Sequence, residues 1–206
     1  MNAKLRDEQD SPGLKAANAA ADSLTVLAEI AEKIENQNIA RTSLGRVRDE
    51  LDAAVNRSTS LMTVLRGTIV HIRPTGLLTV DQMGEAIGRD RNYVDSIWSD
   101  FGDTQRDEDG RVRQTRVYAD ATDADRADAT VRLSGAAKAQ RNAAADEKTA
   151  REERDRVVAM VYASRILGPS AIAAAVGVDR NHVLRIARKR GVQPMHRDGS
   201  RNQYSK

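Results

Sequence analysis

Cysteine is absent from the 206 residues. That excludes disulfides and thiolate metal sites. Histidine is scarce: His71, His182 and His196 are scattered, and none has another histidine or an acid at zinc-ligand spacing, so no metal site is expected. Aromatics are scarcer than in most folds, with one Trp, four Tyr and one Phe. Sandwiches and barrels draw on aromatic and β-branched residues, so an all-β fold is disfavoured. No uncharged apolar run approaches the roughly 20 residues of a membrane span. Met1–Asp10 lacks the apolar region of an export signal, so a cytoplasmic protein without membrane contact is expected. There is no Gly-rich phosphate loop, no Ser/His/Asp arrangement and no pair of acids in an apolar setting. The expectation is a non-enzyme with no catalytic residues, no cofactor and no small-molecule ligand.

What is present is charge and alanine. Charged residues make up 31% of the chain, and 26 of its 33 basic residues are Arg, a bias that GC-rich genomes tend to encode. The net charge of +3 hides an asymmetry: residues 168–206 carry eight Arg and Lys against two Asp, whereas 79–118 carry six Arg against nine acids. A basic block of this kind reads as a polyanion-binding end.

An internal repeat organises the chain. MGEAIGRDRNYVDSIW (Met83–Trp98) aligns with IAAAVGVDRNHVLRIA (Ile172–Ala187) at an offset of 89 residues, and 79–114 share 11 of 36 positions with their counterparts without a gap. Each copy reads as two short helices around a tight turn. Gly88 and Gly177 suit a turn residue with positive φ. Asp90 and Asp179 are placed to cap the second helix, as Thr79 is placed to cap the first helix of the first copy. Gly168-Pro169 starts the first helix of the second copy with Pro at its first position. Gly84 and Ala173 are the small residues where two helices cross closely. Met83, Ile87, Val94 and Ile97, and in the second copy Ile172, Val176, Val183 and Ile186, form a small core. The offset also aligns Val158 with Ile69 and Val161 with Ile72, so the repeated unit includes a preceding helix.

These two segments resemble the tri-helical helix-turn-helix domains of recombinase C-termini, sigma-like factors and small phage or plasmid regulators. The resemblance covers roughly 77–101 and 166–190. It implies a DNA-binding fold but leaves the biological role open, because that fold serves many.

Around the motifs, Leu44, Val47, Leu51, Ala54, Ser58, Leu61, Leu65, Thr68 and Ile72 define one stripe on a helix ending before Pro74. Ala17, Ala20, Leu24, Leu27, Ala31 and Ile34 define another on a helix over 14–35. The polar Asn36-Gln37-Asn38 between them predicts an N-terminal α-hairpin. Its stripes serve either a dimerising coiled coil or packing within the chain. From Asp123 to about Arg165 a mostly polar helix is expected, with Gly135 as a candidate break. Asp109-Gly110, between β-prone stretches, predicts a small β-hairpin wing after the first motif. Residues 192–206 read as a basic arm.

In a helix-turn-helix the second helix enters the major groove. In the second copy the resemblance makes Arg180, Asn181, His182, Leu184, Arg185 and Arg188 the base-reading candidates, with Lys189, Arg190, Arg197 and Arg201 on phosphates. In the first copy the candidates are Arg89, Arg91, Asn92, Tyr93 and Ser96. Asp95 and Asp100 lie on the same helix, and such acids repel phosphate.

The expected fold is therefore all-α: an N-terminal helical hairpin (1–73), a first helix-turn-helix with a wing (74–118), a long connecting helix (119–165) and a second helix-turn-helix with a basic arm (166–206). The expected partners are double-stranded DNA and, through the N-terminal helices, a second copy of the chain. The expected role is a transcriptional regulator or repressor reading an asymmetric or bipartite site. The alternative is a packaging, replication or segregation adaptor.

Overall fold

The computed structural model describes residues 12–101 and 121–193, and these are all-α. Six α-helices follow one another: α1 (Pro12–Ile72), α2 (Val80–Ile87), α3 (Arg91–Phe101), α4 (Asp123–Ser164), α5 (Pro169–Val176) and α6 (Arg180–Lys189). A single 3-10 turn, Arg73–Thr75, follows α1. Among the described residues no helix is long and apolar enough to cross a membrane. The wing expected around Asp109-Gly110 and most of the basic arm lie outside the described residues.

The expected N-terminal hairpin is corrected. Asn36, Gln37 and Asn38 are helical, and α1 runs unbroken through them. None of the three is Gly or Pro, so each costs the helix only a few tenths of a kcal/mol. Packing on the next turn outweighs that: Ala40, Leu44 and Val47 are buried. Gln37 also donates from Nε2 to the backbone oxygen of Ile166 (3.4 Å). Gly135 likewise sits inside α4 without breaking it.

The chain forms two compact units that do not follow chain order: residues 49–152, and residues 1–48 with 153–206. In the 49–152 unit, Leu65, Ile69 and Ile72 of α1 share a core with Met83, Ile87, Val94 and Ile97, and with Ala129, Leu133 and Ala137 of α4. In the other unit, Val157, Val158 and Val161 of α4 share a core with Ile172, Val176, Val183 and Ile186, and with Ala40, Leu44 and Val47 of α1. Shifting by 89 residues superposes eight of the ten residues named in each list, Ala40 answering to Ala129, Leu44 to Leu133, Ile69 to Val158 and Val94 to Val183, whereas Leu65 answers to Arg154 and Ala137 to Arg48. Leu44, Leu133, Ile69, Val158, Val94 and Val183 are all fully buried. The repeat therefore starts near residue 40, and each unit's core is completed by the opening turns of the other repeat's long helix.

Local geometry repeats as closely. After α1, Thr75 Oγ1 donates to Ile72 O (2.6 Å) and accepts from Leu77 N (3.2 Å). At the end of α4, Ser164 Oγ donates to Val161 O (2.7 Å) and accepts from Ile166 N (3.5 Å). The next residue is left-handed both times, Gly76 at φ 67° and Arg165 at φ 59°. Gly suits that conformation, whereas for Arg it costs on the order of 1 kcal/mol.

Candidate nucleic-acid interface

Each short helix pair is built by its caps. Thr79 accepts from Gln82 N (3.2 Å), and Gln82 Oε1 accepts from Thr79 N (2.9 Å), a reciprocal box at the start of α2. In the second unit Pro169 opens α5 after the extended Gly168. Gly88 (φ 67°) and Gly177 (φ 70°) turn the chain out of α2 and α5. Asp90 Oδ1 then accepts from Tyr93 N, and Asp179 Oδ1 from His182 N, both at 2.9 Å. These caps set the direction of α3 and α6. Gly84 is buried where the pair crosses, and a Cβ there would stand 2.7 Å from the backbone oxygen of Arg89.

On α6 the side chains divide cleanly. Val183, Ile186 and Ala187 are buried, while Arg180, Asn181, Arg185, Arg188 and Lys189 are exposed. The helix carries four basic residues and no acid. His182 and Leu184 are half-buried. Arg185 Nη2 lies 2.8 Å from His182 Nδ1, and Arg154 Nη2 lies 3.4 Å from His182 Nε2. Arg154, which is nearly buried, is itself paired with Asp155 at 2.6 Å. Arg154 thus props the ring from α4. Sequence patterning missed this residue, because it sits in a polar helix among many charges.

Arg190 is exposed, and its charge acts on Glu153 of α4. Glu153 is held below the usual carboxylate range first by its bidentate bond from Arg156, then by the charges of Arg156, Arg46 and Arg190. Arg197 and Arg201 lie outside the described residues. Leu184 lines a cleft of about 140 Å³ with Tyr162, Arg180 and Arg188.

On α3 part of the equivalent surface is engaged by neighbouring side chains. Arg91, Asn92 and Ser96 are exposed. Arg89 stacks over the Tyr93 ring (5.3 Å to the centroid). Tyr93 is half-buried, with its hydroxyl 3.9 Å from Met62 Sδ. Asp95 is engaged by Arg73 at 2.7 Å and by Arg91 at 3.4 Å. Arg73 also faces Trp98 (5.1 Å), and Arg66 faces Phe101 (4.6 Å). Trp98 is half-buried and Phe101 is 51% exposed, so Phe101 is not the core residue its type suggests.

An arginine from a long helix sits at each turn. Arg141 Nη1 donates to Ile87 O (2.8 Å) beside Gly88. In the other unit the Arg48 side chain would be 3.7 Å from a Cβ on Gly177. Both come from the opening turns of the opposite repeat, so no local pattern announces them.

Among the described residues no cluster of three or more His, Asp or Glu could hold a metal ion. Comparison with known proteins gives no match to a family model, a curated protein or a solved structure.

Proposed function

We propose that this chain is a sequence-specific double-stranded-DNA-binding protein that reads its site with two unlike helix-turn-helix pairs. Its α6 is the principal reader and α3 a weaker one. The observation that carries this reading is the cationic outer face of α6: Arg180, Arg185, Arg188 and Lys189 point away from buried Val183 and Ile186, with no acid among them. Arg pairs bidentately with guanine and Asn with adenine, so Arg180, Asn181, Arg185 and Arg188 are the base readers, and Lys189 holds phosphate. The proposed role is a transcriptional regulator, repressing by occupancy, carried by a phage or plasmid of a GC-rich bacterium. Two linked readers imply an asymmetric or bipartite site, and linkage lets two weak contacts give one tight complex.

The test is selection of bound fragments from random duplex DNA, followed by titrations at fixed salt. Arg185→Ala should weaken binding to the selected site by about 1–3 kcal/mol, roughly 5- to 150-fold. Arg91→Ala should cost less, because that guanidinium is paired with the carboxylate of Asp95, which repels phosphate, whereas α6 carries no acid beside Arg185. Equal losses, or no binding to any duplex in dilute buffer, would overturn the reading.

A second reading is favoured by α3. With Asp95 tied to Arg73 and Phe101 exposed, that helix suits a protein partner, as an adaptor in packaging, replication or segregation would use it. On that reading Arg91→Ala and Ser96→Ala leave DNA affinity unchanged.

A further inference from the structure

With the hairpin absent, the first half of α1 carries an apolar stripe that none of the described residues covers. Leu24 (67% exposed), Leu27 (60%), Ile30 (48%) and Ile34 (53%) are uncovered. With Ala31 and Asn38 they fall within an arc of about 120° at 100° per residue. The steps Leu24, Leu27, Ala31, Ile34, Asn38 alternate three and four, the narrow seam of a coiled coil rather than the broad face a helix turns to a globular core. This seam is not the core stripe extended: Ala40, Leu44 and Val47, which enter their unit's core, are centred about 135° from it around the helix.

We propose that Leu24–Asn38 forms a parallel two-stranded coiled coil with the same segment of a second copy of this chain. Leu24, Ala31 and Asn38 occupy the a positions, and Leu27 and Ile34 the d positions. Three observations single out a second copy. The seam is as narrow as one helix needs, so its complement is another helix bearing the same spacing, and this segment bears it. Asp22, Glu29, Glu32 and Lys33 all fall outside the seam, and only Glu35 stands at its edge, so two copies meet without charge conflict. The parts of the chain outside the described residues carry only scattered large apolar side chains, such as Leu5, Val112, Val117 and Tyr204, and offer no matching stripe.

Asn38 chooses the orientation. In a parallel pair the two Asn38 side chains face each other and exchange hydrogen bonds, the arrangement by which an a-position Asn sets register. In an antiparallel pair centred on Ala31, Asn38 would lie against Leu24 and its amide would lose its partners.

This proposal is independent of DNA reading and is tested without DNA. The full chain should sediment at twice its 22.6 kDa mass. Leu27→Glu and Ile34→Glu should each return it to the monomer. Both positions are exposed in the single chain, so the thermal transition of the two units should not move. The absence of native cysteine allows a direct test of orientation. Leu27→Cys should oxidise to a covalent dimer, and Asp22→Cys, on the far face, should not. A monomer at every concentration would overturn the proposal and assign the stripe to a different protein. A dimer indifferent to Leu27→Glu, or one in which Leu27→Cys fails to cross-link, would overturn it equally.

Discussion

Where α3 carries Asp95, α6 carries Leu184; where α3 carries Ser96, Ser99 and Asp100, α6 carries Arg185, Arg188 and Lys189. The partners beneath have changed in step. Arg73, which binds Asp95, answers to Tyr162, which lies buried along the cleft that Leu184 also lines. One unit satisfies that place with an ion pair and the other with apolar packing. The second-helix caps Asp90 and Asp179 and the turn glycines are unchanged, and most core positions stay apolar, although the first-helix cap changes from Thr79 to Gly168. The turn and the start of the second helix are therefore kept while its outer face differs, and the difference marks which face of each helix is free to specialise.

The crossed cores offer the largest effect by which this comparison can be broken. Leu44→Ala and Leu133→Ala should each cost about 2–5 kcal/mol. Each should act on the unit holding the other repeat's helix pair. Hydrogen exchange should show Leu44→Ala loosening 169–189 while sparing 80–101, and Leu133→Ala doing the reverse. Loss of protection in the nearer pair along the chain instead would refute the crossed assignment.

Gly84 and Ala173 come next. A methyl group at Gly84 meets the backbone oxygen of Arg89, whereas Ala173 already carries one. Gly84→Ala should destabilise by about 1–3 kcal/mol, read as a lower denaturant midpoint with an unchanged slope. A neutral result would mean that the first pair crosses no more tightly than the second.

The smallest effect concerns the left-handed residues after the long helices. Gly76→Ala should cost about 1 kcal/mol, while Arg165→Gly should be neutral or stabilising by a few tenths, because relief of strain is partly offset by the entropy of the unfolded chain. Thermal melts of the two variants should move in opposite directions or by clearly different amounts. Equal destabilisation would show that the Arg165 side chain contributes more than its backbone costs.

Much of the local structure was legible in advance. Thr79, Asp90 and Asp179 cap as their side chains dictate, Pro169 opens α5, and Gly88 and Gly177 take positive φ. The exposed face of α6 follows from the spacing of Val183 and Ile186. The polar triplet Asn36-Gln37-Asn38 resembles a turn, but without Gly or Pro it breaks nothing when the next turn is buried. Leu44 and Val47 were legible as buried, though not as core for a helix pair more than a hundred residues away. Arg154, Arg141 and Arg48 could not be singled out among 33 basic residues. Their roles depend on which backbone groups and rings arrive beside them.

The sequence by itself determined the all-α class, the duplication, the caps and turns, and the two very different charges on equivalent helices, because these depend on neighbours within a few residues along the chain. The tertiary structure alone decided which long-helix turns complete which core, which arginines are already engaged, and that none of the described residues covers the stripe from Leu24 to Asn38. Those outcomes depend on contacts between distant segments, where many apolar stripes are chemically interchangeable and only packing selects among them.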